Sequence, residues 1–307
     1  MNICVVGAGA IGGWVAARLA LASHKVMALT SRGPLKEIRV CESGVEDVAQ
    51  LAHFDDRADL LIVAVKATAL SSAAQSAKSL IRPETIVLPM LNGVPWWFVE
   101  GMHLKSVDPD GSIAAALPFE QIVGCVVHAA CSRSAETVMV KLADKLIIGE
   151  PAGGETSERV ARLFGVLHAA GLKPDITGNV RRSIWYKLWG NATTNPMSAL
   201  VRATTDKIHG DPYCRAWTLE GMAELARIGA SIGCPITESG EDRIKVALKL
   251  GAFKTSMLQD VEAGRPIELE ALLGAPLEIA RAQGIPTPAL DRLYGVTRLM
   301  AESLGLG

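Results

Sequence analysis

The chain opens MNICVVGAGAIGGWVAARLA, an apolar run from Ile3 to Val6 that meets Gly7, Gly9 and Gly12 and then turns helical at Trp14, Val15 and Leu19. No other stretch restricts the fold as strongly. A strand, a GxGxxG turn, an amphipathic helix and a second strand at Lys25 to Leu29 make the βαβ unit that binds dinucleotides. Each glycine has its own reason. Gly7 permits the tight turn, Gly9 lets the backbone approach a pyrophosphate without a Cβ, and Gly12 lets helix and strand pack closely. The phosphates would then lie on the unpaired N–H groups of Ala10, Ile11 and Gly12 at the helix N-terminus.

The second strand should end at the residue that reads the adenosine ribose. An NAD site places an acid there to bond the 2′-hydroxyl. This chain has Thr30, Ser31 and Arg32. Arg32 suits a forked, charge-assisted contact to a 2′-phosphate, so the expected cofactor is NADP(H).

Further β-rich runs (HKVMAL, LLIVAV, TIVLPML, KLIIGE) alternate with helical or loop segments up to about residue 150, which predicts a doubly wound parallel sheet covered on both faces. Helical spacing of Val160, Leu163, Phe164 and Leu167 predicts a helix from Ser157 to Ala170, stopped by Gly171, with a last strand at Pro174 to Thr177. From about Arg182 the pattern is helical only. Thr287 is expected to cap a helix that starts at Pro288. At 307 residues the chain exceeds the size of one ordinary core, and the expected domains are 1–178, a Rossmann-type NADP-binding domain, and 179–307, an all-helical substrate domain.

Composition narrows the function classes. No run approaches the roughly 20 apolar residues of a membrane span, so no membrane partner is expected. Net charge is -1 from 31 basic and 32 acidic residues spread along the chain, which argues against a nucleic-acid partner. The six cysteines are scattered without a CxxC pair, which argues for reduced thiols and against a metal site. With no secretory pattern at the start, the expected location is the cytoplasm.

Ligands of such sheets lie beyond the carboxyl ends of strands, where Lys66 follows VAV and Asn92 with Gly93 follows VLPML. The most informative stretch is IWYKLWGNATTNPMSAL. On a helix, Lys187, Asn191 and Asn195 make one stripe beside the apolar face of Trp185, Leu188, Trp189 and Ala192. Pro196 predicts a kink or break. A lysine ammonium suits carbonyl reduction, because it can stabilise the charge that grows on oxygen as hydride reaches carbon and can then release a proton. Asparagines orient polar substrate groups without adding charge.

Through GAGAIGG, VKA, LNG, KLWGNATTNPMSAL and SMLQDVEAGRPIELEALLGAPLEIARAQGIPTP, the chain resembles the ketopantoate reductase (2-dehydropantoate 2-reductase) family over essentially its whole length. The resemblance implies an N-terminal Rossmann domain, a helical C-terminal domain with a cleft between them, and NADPH-dependent reduction of a 2-keto acid, foremost ketopantoate to pantoate in pantothenate biosynthesis. It makes Lys187 the general acid and Asn191, Asn195, Ser256 and Asn92 substrate contacts. Lys66 and Asn92 fall at the nicotinamide end, and Glu268 binds cofactor or substrate. Glu268 also has a structural reading: with Pro266 starting a helix, its carboxylate would favour the helix dipole. The expected partner is a small 2-keto acid, and a homodimer is compatible. Two places depart from many relatives: Leu272 to Gly274, where an asparagine is common, and the Trp96–Trp97 pair. A related reductase of another 2-keto or β-hydroxy acid, or a non-catalytic NADPH-binding regulator, are the alternatives.

Overall fold

The computed structural model describes residues 1–307 except Asp56, Ala135 and Leu250. The chain folds as two compact units, one of residues 1–91 with 111–183 and one of residues 92–110 with 184–307. Where the sequence suggested one boundary near residue 178, the units divide inside a helix, and the segment 92–110 belongs with the helical unit.

In the first unit, β1 (Asn2–Val6) leads through the glycine turn into α1 (Ala10–Leu21), followed by β2 (Lys25–Thr30), a short β3 (Gly33–Pro34), β4 (Glu37–Glu42) and β5 (Val45–Gln50). After these come β6 (Leu60–Val63), α2 (Leu70–Ala77), β7 (Ile86–Pro89), α3 (Ser112–Ala116), β8 (Gly124–Ser134), β9 (Thr137–Gly149), α4 (Glu158–Ala169) and β10 (Pro174–Ile176). The nucleotide-type sheet has the order β3-β2-β1-β6-β7, parallel except for the edge pair of β2 with β3. Its central strands are buried on both faces, as expected for a parallel sheet covered by other elements.

A second sheet departs from the single-sheet expectation. Its order is β10-β9-β4-β5, with β8 added on β9 as a long antiparallel hairpin interrupted by two register shifts. KLIIGE therefore lies in a mixed second sheet rather than in the parallel one. The consequence falls on α1. It was expected to be amphipathic, yet Gly12, Gly13, Trp14, Val15, Ala16, Ala17 and Leu19 are all buried, because β4, β5, β8 and β9 pack on α1 while it also contacts β1 and β2. A helix covered from two sides needs small residues all round, and this one supplies alanine and glycine. In α4 the Ser157 hydroxyl accepts the Val160 N–H, and Gly171, in the left-handed region at φ +73°, ends the helix.

The second unit is built on α5 (Val180–Val201), α6 (Thr205–Gly210), α7 (Pro212–Ser231), α8 (Gly240–Leu248), α9 (Ser256–Glu262), a π-helical turn at Glu270–Gly274, α10 (Ala275–Ala282) and α11 (Pro288–Ser303). Trp185 and Trp189 are fully buried, and their indole N–H groups donate to the carbonyls of Leu225 and Met222 on α7 at 3.1 and 2.8 Å. Each ring removes roughly 200 Å² from water, a gross gain of roughly 5 kcal/mol before entropy is counted, and the N–H finds its acceptor. Phe98 stacks on Trp185 at 5.8 Å, and Trp96 and Trp97 are buried beside it, which explains why segment 92–110 joins this unit.

Two local expectations are corrected. α5 runs unbroken through Pro196, because Ala192, Met197 and Ala199 are buried around it and tertiary packing outweighs the local preference to stop. Thr287 does precede Pro288, but its hydroxyl donates to Asp291 at 3.0 Å and caps no N–H. The buried carboxylate of Glu224 on α7 accepts from Ala289 and Leu290 instead, each at 2.9 Å.

Candidate functional site

In the first unit the glycine turn has the shape a dinucleotide requires. Gly7 has φ +95°, and a Cβ there would meet the Ala64 carbonyl oxygen at 2.6 Å. A Cβ on Gly12 would collide with the Gly7 carbonyl, so only glycine allows the helix to sit this close to the strand. Gly9 is different: a Cβ built there meets nothing within 4 Å, which leaves an open approach to the backbone. No side chain caps α1 and no acid stands in its first turn. The amides of Ala10, Ile11 and Gly12 precede the first intrahelical bond, from Gly13 N–H to Gly9 O at 2.9 Å, and face an uncapped positive helix end.

Arg32 is exposed in the turn after β2. That turn is held by Thr30, whose hydroxyl accepts the Arg32 N–H at 3.1 Å and donates to the Gly33 carbonyl at 2.9 Å. No acid occupies Thr30, Ser31 or Arg32, and the guanidinium is available to a phosphate. The residues present therefore fit a 2′-phosphorylated dinucleotide. Lys66, half-buried, directly precedes the short helical turn Ala67–Ala69 after β6. Sequence reading missed Arg133 on β8, whose guanidinium donates to the Ala8 carbonyl in the glycine turn. Nothing local could reveal it, since 125 residues separate the pair.

In the second unit, Lys187 on α5 donates from Nζ to Asn92 Oδ1 at 2.9 Å. These residues lie 95 positions apart, and the fold brings them together. Asn92 is positioned from behind. Gly93, at φ +80°, leaves no room for a Cβ against the Ala271 backbone, and the Val94 N–H donates to the Ala271 carbonyl at 2.8 Å. Ala271 belongs to the π-helical turn, a wide turn that recurs at functional sites. Leu272 and Leu273 of that turn are buried, so this segment serves the unit's core.

Asn191 and Asn195, one and two turns beyond Lys187, line a pocket of about 150 Å³ with Thr255, His209 and Arg243. Asn195 is buried and Asn191 half-buried. Burial, and then the charge of Arg215, lowers the His209 pKa and favours the neutral ring. Ser256 is exposed at the start of α9; its neighbour Thr255 lines the pocket and caps the helix by accepting the Leu258 N–H at 3.1 Å. Glu268 is half-buried directly before Leu269, and Pro266 stands outside the helix, so the expected helix start at Pro266 is corrected. Among the described residues, no cluster of His, Cys, Asp and Glu could hold a metal ion, and no helix is long and apolar enough to cross a membrane.

Comparison with known proteins identifies the family. The family model described as Ketopantoate reductase PanE/ApbA matches residues 3–153, and that described as Ketopantoate reductase PanE/ApbA C terminal matches residues 179–301. The chain is 37% identical to a 2-dehydropantoate 2-reductase of Mesorhizobium japonicum over 99% of both chains. It superposes on the crystal structure of a candidate ketopantoate reductase from Ralstonia solanacearum MolK2 with a TM-score of 0.93 and 42% identity, covering 100% of this chain and 99% of that one. For the 2-dehydropantoate 2-reductase from Methylococcus capsulatus the TM-score is 0.85 at 25% identity, with the same coverage. With both family models matched in order and a relative of 37% identity aligned end to end, the chain belongs to the ketopantoate reductase family.

Proposed function

We propose that this enzyme reduces 2-dehydropantoate (ketopantoate) to pantoate with NADPH. Family membership supports the reaction, and the observation that carries the assignment of roles is the 2.9 Å bond from Lys187 Nζ to Asn92 Oδ1 at the head of the Asn191–Asn195 stripe. The uncapped N-terminus of α1 with Gly7, Gly9, Ala10, Ile11 and Gly12 holds the pyrophosphate, and Arg32 holds the 2′-phosphate. By the family resemblance Lys66 and Asn92 are assigned to the nicotinamide end and Glu268 to a hydrogen bond with cofactor or substrate. Bound NADPH supplies the hydride.

The remaining work belongs to the chain. Lys187 hydrogen-bonds the substrate carbonyl oxygen, meets the negative charge that develops there and gives it a proton, leaving a neutral amine that water reprotonates. Asn92 fixes the ammonium, because its carbonyl oxygen takes one N–H and its own NH₂ keeps its donors for ligand. Asn191, Asn195 and Ser256 orient the substrate. On this reading residues 1–178, apart from the segment 92–110, form the cofactor domain, and 179–307 with that segment form the substrate domain. Assembly as a homodimer, which the family resemblance allows, is checked by light scattering.

The decisive experiment follows NADPH absorbance with purified protein and a panel of 2-keto acids that includes ketopantoate. The highest kcat/KM should fall on ketopantoate. Preference for another acid would move the enzyme to a related reductase, and no turnover of any member would leave an NADPH-binding protein without this activity.

A further inference from the structure

Gly190 lies inside α5, where a glycine costs about 1 kcal/mol relative to alanine. The space it leaves is used by the guanidinium of Arg243 from α8: a Cβ on Gly190 would stand 2.9 Å from Arg243 Nε and 3.1 Å from Nη2. The same group lies over the Tyr186 ring, its Cζ 5.2 Å from the centroid. Arg243 is thus seated between a notch in the helix and an aromatic face. Other arginines of this unit meet carboxylates, as Arg265 does Asp260 at 3.0 Å and Arg281 does Asp291 at 3.3 Å. Among the described residues, no carboxylate pairs with Arg243. A guanidinium that is half-buried, placed and without a counter-ion is a receptor for an anion.

The pocket that Arg243 lines supplies a second observation. His209 lines it too, only 2% exposed, and neither of its ring nitrogens has a hydrogen-bond partner among the described residues. Burying an imidazole without a partner costs free energy that a bound polar group would relieve. The other polar lining groups, two asparagines (Asn191 and Asn195) and three threonines, are neutral, and Met222 and Phe253 form apolar wall. One cation among neutral donors in about 150 Å³ fits a single planar monoanion better than a phosphate.

We infer that Arg243 recognises the carboxylate of the substrate, with His209, Asn191 and Asn195 completing its hydrogen bonds. The inference rests on the 2-keto acid reading above. It agrees with that chemistry: a 2-keto acid carries its carboxylate on the carbon beside the reacting carbonyl, and Gly190 and Asn191 follow Lys187 by one turn, about 5 Å along the helix. The carboxylate charge is the same before and during hydride transfer. Arg243 therefore acts on binding more than on turnover.

The test compares wild type, Arg243→Ala and Arg243→Lys, each shown folded by an unchanged Tm, in KM for ketopantoate and in inhibition by pantoate and by its uncharged lactone. Arg243→Ala should raise KM on the order of 10- to 100-fold, the range of a hydrogen bond to a charged group, with a much smaller change in kcat. Its preference for pantoate over the lactone should fall towards one. Arg243→Lys should recover part of that preference, since it restores the charge but not the fork, and it serves alone if the alanine variant does not fold. His209→Gln should weaken pantoate several-fold. A wild type that does not prefer pantoate to its lactone, or an Arg243→Ala protein with wild-type KM and preference, would overturn the assignment while the reductase reading stood. Wild-type protein inactive on every 2-keto acid would remove both.

Discussion

Two glycines, one in each unit, show two ways in which the space of a missing Cβ is used. Gly12 in α1 is needed because backbone meets backbone, its missing Cβ facing the carbonyl of Gly7. Gly190 in α5 is needed because a side chain, the guanidinium of Arg243, fills the space. A peptide group cannot move aside without breaking the turn, whereas the end of an arginine can. On the proposed reading the glycine turn is a site made of main-chain N–H groups and is intolerant of change. The proposed α5 site is made of side chains, so substitutions there should appear in kinetics with the fold intact.

The largest effect expected from that contrast is on Lys187. Lys187→Ala should keep its fold and NADPH affinity but lose on the order of 100- to 1,000-fold in kcat, the cost of removing one preorganised donor from developing charge. Steady-state kinetics on the folded variant check this, and a near-normal kcat would remove Lys187 from the chemistry. Gly12→Ala should lose about 1–3 kcal/mol of stability, as overpacking does, and its NADPH affinity together with it. Denaturant unfolding and a cofactor titration measure both losses; stability without affinity, or the reverse, would break the idea of a single rigid backbone site.

Arg32 tests the one side chain given a role in the backbone-built site. Arg32→Ala should lose on the order of 10-fold or more in NADPH affinity and leave NADH nearly unchanged, read from the two dissociation constants. Equal losses for both cofactors would count against the 2′-phosphate contact.

Glu150 separates stability from chemistry. Its hydrogen bond from Arg159, aided by one from Ser157, holds its carboxylate pKa below the ordinary value of 4.5. A depressed carboxylate stabilises the fold fully above the ordinary value, and the contribution is lost as pH falls through the lower folded value. Glu150→Gln should therefore cost about 1–2 kcal/mol at neutral pH, flatten the loss of stability below pH 4.5 and leave kcat unchanged. Urea midpoints as a function of pH decide it.

The smallest change in stability is expected at Gly190. Gly190→Ala gains about 1 kcal/mol of helix propensity and loses a comparable amount in displacing Arg243, so Tm should scarcely move. KM for ketopantoate should rise nonetheless. A Tm drop as large as that of Gly12→Ala would show that the two glycines are not different in kind.

Much of this was legible in the sequence, and the parts that were not share a reason. The glycine turn, the buried tryptophan face of α5, the helical period of α4 with Gly171 as its stop and the change from α/β to all-helical pattern are contacts between near neighbours or the periodicity of one element, and both are written in short stretches of chain. The stripe Lys187, Asn191, Asn195 was legible for the same reason. What depended on distant segments was not. The second sheet that buries most of α1, Glu224 in place of Thr287 at the start of α11, the continuity of α5 through Pro196 and Arg133 at the Ala8 carbonyl all come from partners far along the chain. Asn92 and Lys187 were each named from sequence, but their bond required the tertiary structure, and so did the place of Arg243 and His209. Local sequence decides which groups a helix or turn can present. Only packing, which minimises exposed apolar surface over the whole chain at once, decides which of those groups meet.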